Sequence, residues 1–158
     1  MNVQRKAKDS KGFTIIEVVL VLAIAGLIFL MVFIALPALQ RNQRDAARKA
    51  EVGTVAGAIT TFQSNNRGVS PGADATFANY IDATIVSNVV TFSSGTKVKK
   101  SAVTTFPQTV QADTETIIFV IGGKCGAASS AEVIKGTSRQ TAVVVQLENG
   151  DAFYCQAT

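Results

Sequence analysis

Nineteen consecutive residues, Val18 to Leu36, carry no charge and no strongly polar side chain. Wound as an α-helix, such a run reaches about 28 Å, close to the roughly 30 Å hydrocarbon core of a bilayer. A helix that is apolar on every face needs lipid or a protein shell around it. A chain of 158 residues is sized for one modest domain and has little left over to wrap such a rod. The run therefore predicts a membrane span rather than a buried core helix. A secretory signal peptide shares its plan of basic start and apolar stretch, and Ala23-Ile24-Ala25 has the outline of a cleavage site. That site falls in the middle of the run and leaves eleven apolar residues beyond it, which argues against the signal-peptide reading.

The formal charge of +4 is misleading as a guide to partners. Arg5, Lys6, Lys8 and Lys11 crowd the first eleven positions against Asp9 alone, and without them the balance is 11 basic to 10 acidic. The charge belongs to a tail, and no basic stripe interleaved with aromatics follows it. Basic residues at the far end of the run, Arg41, Arg44, Arg48 and Lys49, match the tail in number, so charge asymmetry does not orient the span. With no histidine and two cysteines, the chain lacks the usual metal-ligand spacings and the Ser/His/Asp or Cys/His sets of nucleophilic catalysis. An enzyme is not expected, nor a cofactor, a metal or a small-molecule substrate.

The junction Lys11-Gly12-Phe13-Thr14-Ile15-Ile16-Glu17, running on into Val18-Val19-Leu20-Val21-Leu22-Ala23-Ile24-Ala25-Gly26, closely resembles the class III signal of type IV prepilins. In that family a basic leader ends in glycine, a membrane peptidase cuts after it, and the new N-terminal residue is methylated. The resemblance places the cut between Gly12 and Phe13 and the methylation on Phe13. The family's acidic residue near the mature N-terminus falls at Glu17, the only ionisable side chain between Phe13 and Leu39. A carboxylate at the margin of the hydrocarbon is costly enough to need a reason. The resemblance implies one, the pairing of Glu17 with the free amine of Phe13 on a neighbouring subunit in a filament core. Taken alone, Glu17 reads as an interfacial carboxylate reaching for the headgroups. The family often has a proline at the position of Ile34, whereas this chain has Pro37, so a helix kink is expected about one turn later.

Beyond Pro37, Val52, Val55, Ile59 and Phe62 recur at helical spacing among polar residues, predicting a helix that lays one face on a sheet. Asn65-Asn66-Arg67-Gly68 and then Pro71-Gly72 predict its end. Gly53 and Gly57 read as small residues letting the helix lie close to its own sheet. Between 69 and 115 the signals weaken: a short helix over Asp74–Ala83, a strand over Val86–Phe92, and a solvated loop tip at Lys97, Lys99 and Lys100.

The C-terminal part is β-rich at Thr116–Ile121, Ala142–Leu147 and Ala152–Cys155, with a hairpin turn at Asn149-Gly150. Two carboxylates around that turn, Glu148 and Asp151, are too few for calcium, which takes six to eight oxygens. Cys125 and Cys155 stand where a bridge could cross the sheet edge, or they are two separate buried thiols. Many type IV pilins have a C-terminal disulfide, and the resemblance favours the bridge.

The expected architecture is α+β and pilin-like. It comprises a leader (1–12), a transmembrane and filament-core helix (13–39), an amphipathic helix (40–68), and a head (69–158) with an antiparallel sheet of three or four strands packed on the helix. The resemblance implies a structural subunit of a type IV pilus, serving adhesion, motility or DNA uptake. Its partners would be the prepilin peptidase, other copies of itself, minor pilins and a membrane assembly platform. It would reside in the inner membrane first and in an extracellular filament afterwards. Two other readings stay open: a pseudopilin of a type II secretion or competence apparatus, and a membrane-tethered adhesion domain that never polymerises.

Overall fold

The computed structural model describes residues 12–72, 75–81, 83–86, 89–101, 105–150 and 152–158. The basic leader expected at 1–12 therefore lies outside the described residues except for Gly12. The chain divides into two compact units, one ending at Gln40 and one running from Arg41 to Thr158. A single α-helix, α1 (Ile15–Asn65), contributes to both and contains Pro37.

In the first unit α1 keeps its backbone bonded internally while its large apolar side chains stay unburied. From Phe13 to Leu39 every large apolar side chain is exposed, Phe13 at 89% and Phe33 at 73%. The helix is long and apolar enough to cross a membrane.

In the second unit the same helix has a core-facing stripe. Val52, Val55, Ile59 and Phe62 are buried at the expected spacing. The helix stops at Asn65 because Arg67 and Gly68 both take positive φ, and the Gly68 amide donates back to the Gln63 carbonyl at 2.7 Å. After it, among the described residues, come α2 (Ala75–Ala78) and nine strands. They are β1 (Ala83–Val86), β2 (Val89–Phe92), β3 (Lys97–Lys100), β4 (Gln108–Thr109), β5 (Thr116–Ile121), β6 (Gly123–Cys125), β7 (Glu132–Lys135), β8 (Thr141–Gln146) and β9 (Phe153–Ala157).

The α+β architecture is the expected one, but the sheet is larger and mixed. Six strands form it in the order β1-β2-β3-β5-β8-β9, and a second, three-stranded sheet has the order β4-β7-β6. All neighbours in the large sheet are antiparallel except β3 and β5, which run parallel with Val98 opposite Ile117. The chain leaves β3, contributes β4 to the other sheet, and returns beside β3 in the same direction. That is the long crossover a parallel pair requires.

The strands β5 and β8 explain the layering. Ile117, Phe119, Val143 and Val145 join the helix-side core with Val55 and Ile59, while Val120, Ala142 and Val144 join a second core with Val110 and Val133. Strands buried on both faces read as continuous apolar runs, and these two do. The head is thus helix, large sheet and small sheet in three layers. Phe62 meets Tyr80 edge-on at 5.2 Å and Phe77 meets Phe119 at 5.6 Å, closing the helix-side core above α2.

Three local expectations are corrected. The strand expected over Val86–Phe92 is the hairpin β1–β2, with Val86 opposite Val89. Ser87 and Asn88 between them lie outside the described residues. The lysines at 97, 99 and 100 lie on β3 rather than on a loop tip, exposed around buried Val98. The short helix covers Ala75–Ala78 within the expected Asp74–Ala83, of which residues 74 and 82 are outside the described residues.

Candidate functional site

At the N-terminal end the structure gives Glu17 a local role beyond the one its sequence context implies. Thr14 caps the helix. Its amide and its hydroxyl both donate to Glu17 Oε2, at 2.9 and 2.8 Å, and its Oγ1 faces the Glu17 amide at 3.4 Å. This is a capping box, in which Thr14 and Glu17 satisfy each other's helix-end groups. The signal was present as Thr-x-x-Glu directly before an apolar run. Gly12 and Phe13 precede the capped turn and are exposed. Phe13, Glu17, Val18, Val21 and Leu22 share one surface there, apolar apart from the carboxylate.

Pro37 lies inside α1, where its ring nitrogen cannot donate to a preceding carbonyl. Glu17 and Pro37 therefore mark the two polar irregularities of an otherwise uniform rod.

At the other functional position, Cys125 on β6 and Cys155 on β9 form a disulfide with Cα atoms 5.8 Å apart. It joins the small sheet to the edge of the large one. Closing a loop of 30 residues contributes about 3.5 kcal/mol in the chain-entropy model.

The hairpin β8–β9 is held to α1 by a charge cluster that no sequence pattern announced. Asp45, 5% exposed, accepts the backbone amides of Glu148 (2.8 Å) and Asn149 (3.1 Å). Arg44 and Arg48 each reach Glu148 at 2.7 Å, and Arg48 also donates to the Thr114 carbonyl at 2.6 Å. The Arg44 and Arg48 hydrogen bonds push the Glu148 carboxyl down to about 2. Both Glu148 oxygens are thereby committed to guanidinium groups, and Gly150 supplies the positive φ the turn needs. Asp151, the second carboxylate considered for calcium, lies outside the described residues. Gly57 faces open space rather than the sheet, correcting the expectation that both helix glycines allow close approach, while Gly53 faces Gln156 on β9.

The exposed apolar helix, capped by a threonine–glutamate box behind a glycine–phenylalanine step, has the length and apolar character of a membrane anchor. Residues 7–33 match the family model of the prokaryotic N-terminal methylation motif, the hallmark of the class III signal of type IV pilins. No curated protein and no solved structure matches the chain. The motif indicates a structural protein, the precursor of a pilin-like or pseudopilin subunit.

Proposed function

We propose that the chain is a structural subunit of a type IV pilus. The single observation behind this reading is the methylation motif running into a helical stretch, up to Leu39, whose large apolar side chains are all exposed. A rod of that kind is stable in lipid before assembly and among copies of itself afterwards. Prepilin peptidase cuts between Gly12 and Phe13, the Phe13 amine is methylated, and the membrane assembly platform extracts the subunit into a filament with further copies and minor pilins. Glu17 pairs there with the Phe13 amine of a neighbour, since two opposite charges in a low-dielectric core cost far less together than apart. Pro37 kinks the rod. The disulfide favours a pilin that is exposed outside the cell, where such a bond persists.

Intact-mass and N-terminal analysis of protein sheared from the cell surface tests the proposal. A chain starting at methylated Phe13 in long fibres is the expected result. The same processed chain confined to the envelope would make it a pseudopilin, and an uncut chain would end the proposal.

A further inference from the structure

We propose that the notch where α1 ends binds an oxyanion of an acidic polysaccharide, held between Arg67 and Arg139. The notch, about 470 Å³, is bordered by Thr60, Gln63, Ser64, Arg67, Gly68 and Arg139. Two guanidinium groups and no carboxylate face it. Among the described residues neither guanidinium makes a hydrogen bond or an ion pair, whereas Arg44 and Arg48 at the opposite end of this helical segment are fully engaged. A pair of arginines serving only to neutralise the helix end would bond to its last carbonyls. Two of those carbonyls are taken instead by other donors, Gln63 by the Gly68 amide and Phe62 by the Asn66 backbone and side-chain amides.

Placement of the two arginines has a cost that packing does not explain. Arg67 sits at φ 56°, a conformation that disfavours a long side chain by about 1 kcal/mol, where glycine or asparagine is the usual choice. Gly68 follows at φ +83°, and a Cβ there would come within 3.2 Å of Arg139 Nε. The absence of a side chain at 68 leaves room for the Arg139 guanidinium. Arg139 itself is fixed by a bonded turn, with the Gln140 amide on the Thr137 carbonyl and Gln63 Nε2 on the Arg139 carbonyl at 3.0 Å. The backbone is held while the side-chain head is free.

The lining also selects the ligand. Guanidinium forks suit carboxylate, sulfate or phosphate groups. Nucleic acid is disfavoured because no aromatic ring borders the notch to stack a base, and a lipid because no apolar side chain borders it. The hydroxyls of Thr60 and Ser64 and the amide of Gln63 match the hydroxyls of a sugar chain. An oxyanion on a polyhydroxylated polymer uses every group present. The site is complete within one head and goes beyond the pilus reading.

The test is calorimetric titration of the full chain in detergent micelles with polygalacturonate, dextran sulfate, neutral dextran and a single-stranded oligonucleotide of equal charge. Because the basic leader attracts any polyanion, the quantity read is the difference between variants. Arg139→Ala and Arg67→Gly should each weaken binding of the favoured acidic polysaccharide about tenfold. Polygalacturonate against dextran sulfate tells carboxylate from sulfate. Arg67→Gly should at the same time leave the melting temperature unchanged or raise it, a split that a structural role for the arginine would not produce. Unchanged affinity in both variants, equal binding of neutral dextran, or an oligonucleotide bound as tightly and equally dependent on both arginines would overturn the proposal.

Discussion

The two stretches of α1 are built from one continuous backbone and answer to two solvents. Between Phe13 and Leu39 its apolar side chains are exposed all round and its one charge is Glu17, already engaged by the helix cap. Between Arg41 and Asn65 the apolar positions thin to a stripe, and charged side chains reach residues about a hundred positions away. The comparison teaches that a helix is kept by whatever lies against its side chains. The large apolar side chains of the first stretch are all exposed, while those of the second share the head's core. Substitutions should therefore sort cleanly, those in the rod affecting assembly and those in the head affecting stability.

The largest expected effect breaks the comparison if it fails. Glu17→Ala should abolish surface filaments while the thermal unfolding of the head is unchanged. Glu17→Gln sharpens the point, since an amide can still close the capping box and only the charge is lost. Filaments formed normally by Glu17→Gln would show that the cap, rather than the charge, is what assembly needs.

Next in size is the head's disulfide. Cys125→Ser with Cys155→Ser should lower unfolding free energy by about 3.5 kcal/mol, read by denaturant titration with and without reductant. Asp45→Ala should cost about 2 kcal/mol, because it strands two backbone amides and removes a partner of Arg48. An Asp45→Ala head as stable as the native one would mean the hairpin is not anchored to the helix. Gly57→Ala should raise head stability by about 0.5–1 kcal/mol, as no atom lies within 4 Å of the added methyl group. If filaments are lost in a stabilised Gly57→Ala chain, that face of the helix has a neighbour in the fibre.

The smallest effect is in acid. Glu148 has its carboxyl lowered from 4.5 to about 2, so its ion pairs favour the folded head above pH 4.5. That contribution fades as pH falls through 2. The stability gap between the native chain and Glu148→Gln should be constant above pH 5 and close between pH 4.5 and 2.

Local physics made the rod, the buried stripe, the strand Thr116–Ile121 and the Asn149-Gly150 turn legible. Each is a run of neighbours whose period or turn chemistry has one reading. The small sheet was not legible, because β4 has two residues and β6 three, too short for any period to register. The parallel pairing of β3 with β5 depends on the route of the chain between them, which composition does not encode. At the candidate sites the contrast is the same. Gly12, Phe13 and Glu17 are contiguous and stood out, whereas Asp45 meets Glu148 across the whole head and had no local signature. Thr14 is the exception, since its capping role is carried by the contiguous Thr-x-x-Glu pattern.

The last strand, β9, lies at the margin of the large sheet and hydrogen-bonds along one side only, to β8. Just past the strand, the Thr158 amide donates to the Thr141 carbonyl at 3.0 Å, adding one more rung to the pairing with β8. The sulfur link at Cys155 ties this strand covalently to the other layer through β6, so a load on one layer is shared with the other. A thiol reagent that opened this link would uncouple the two layers while leaving every backbone rung of the large sheet in place.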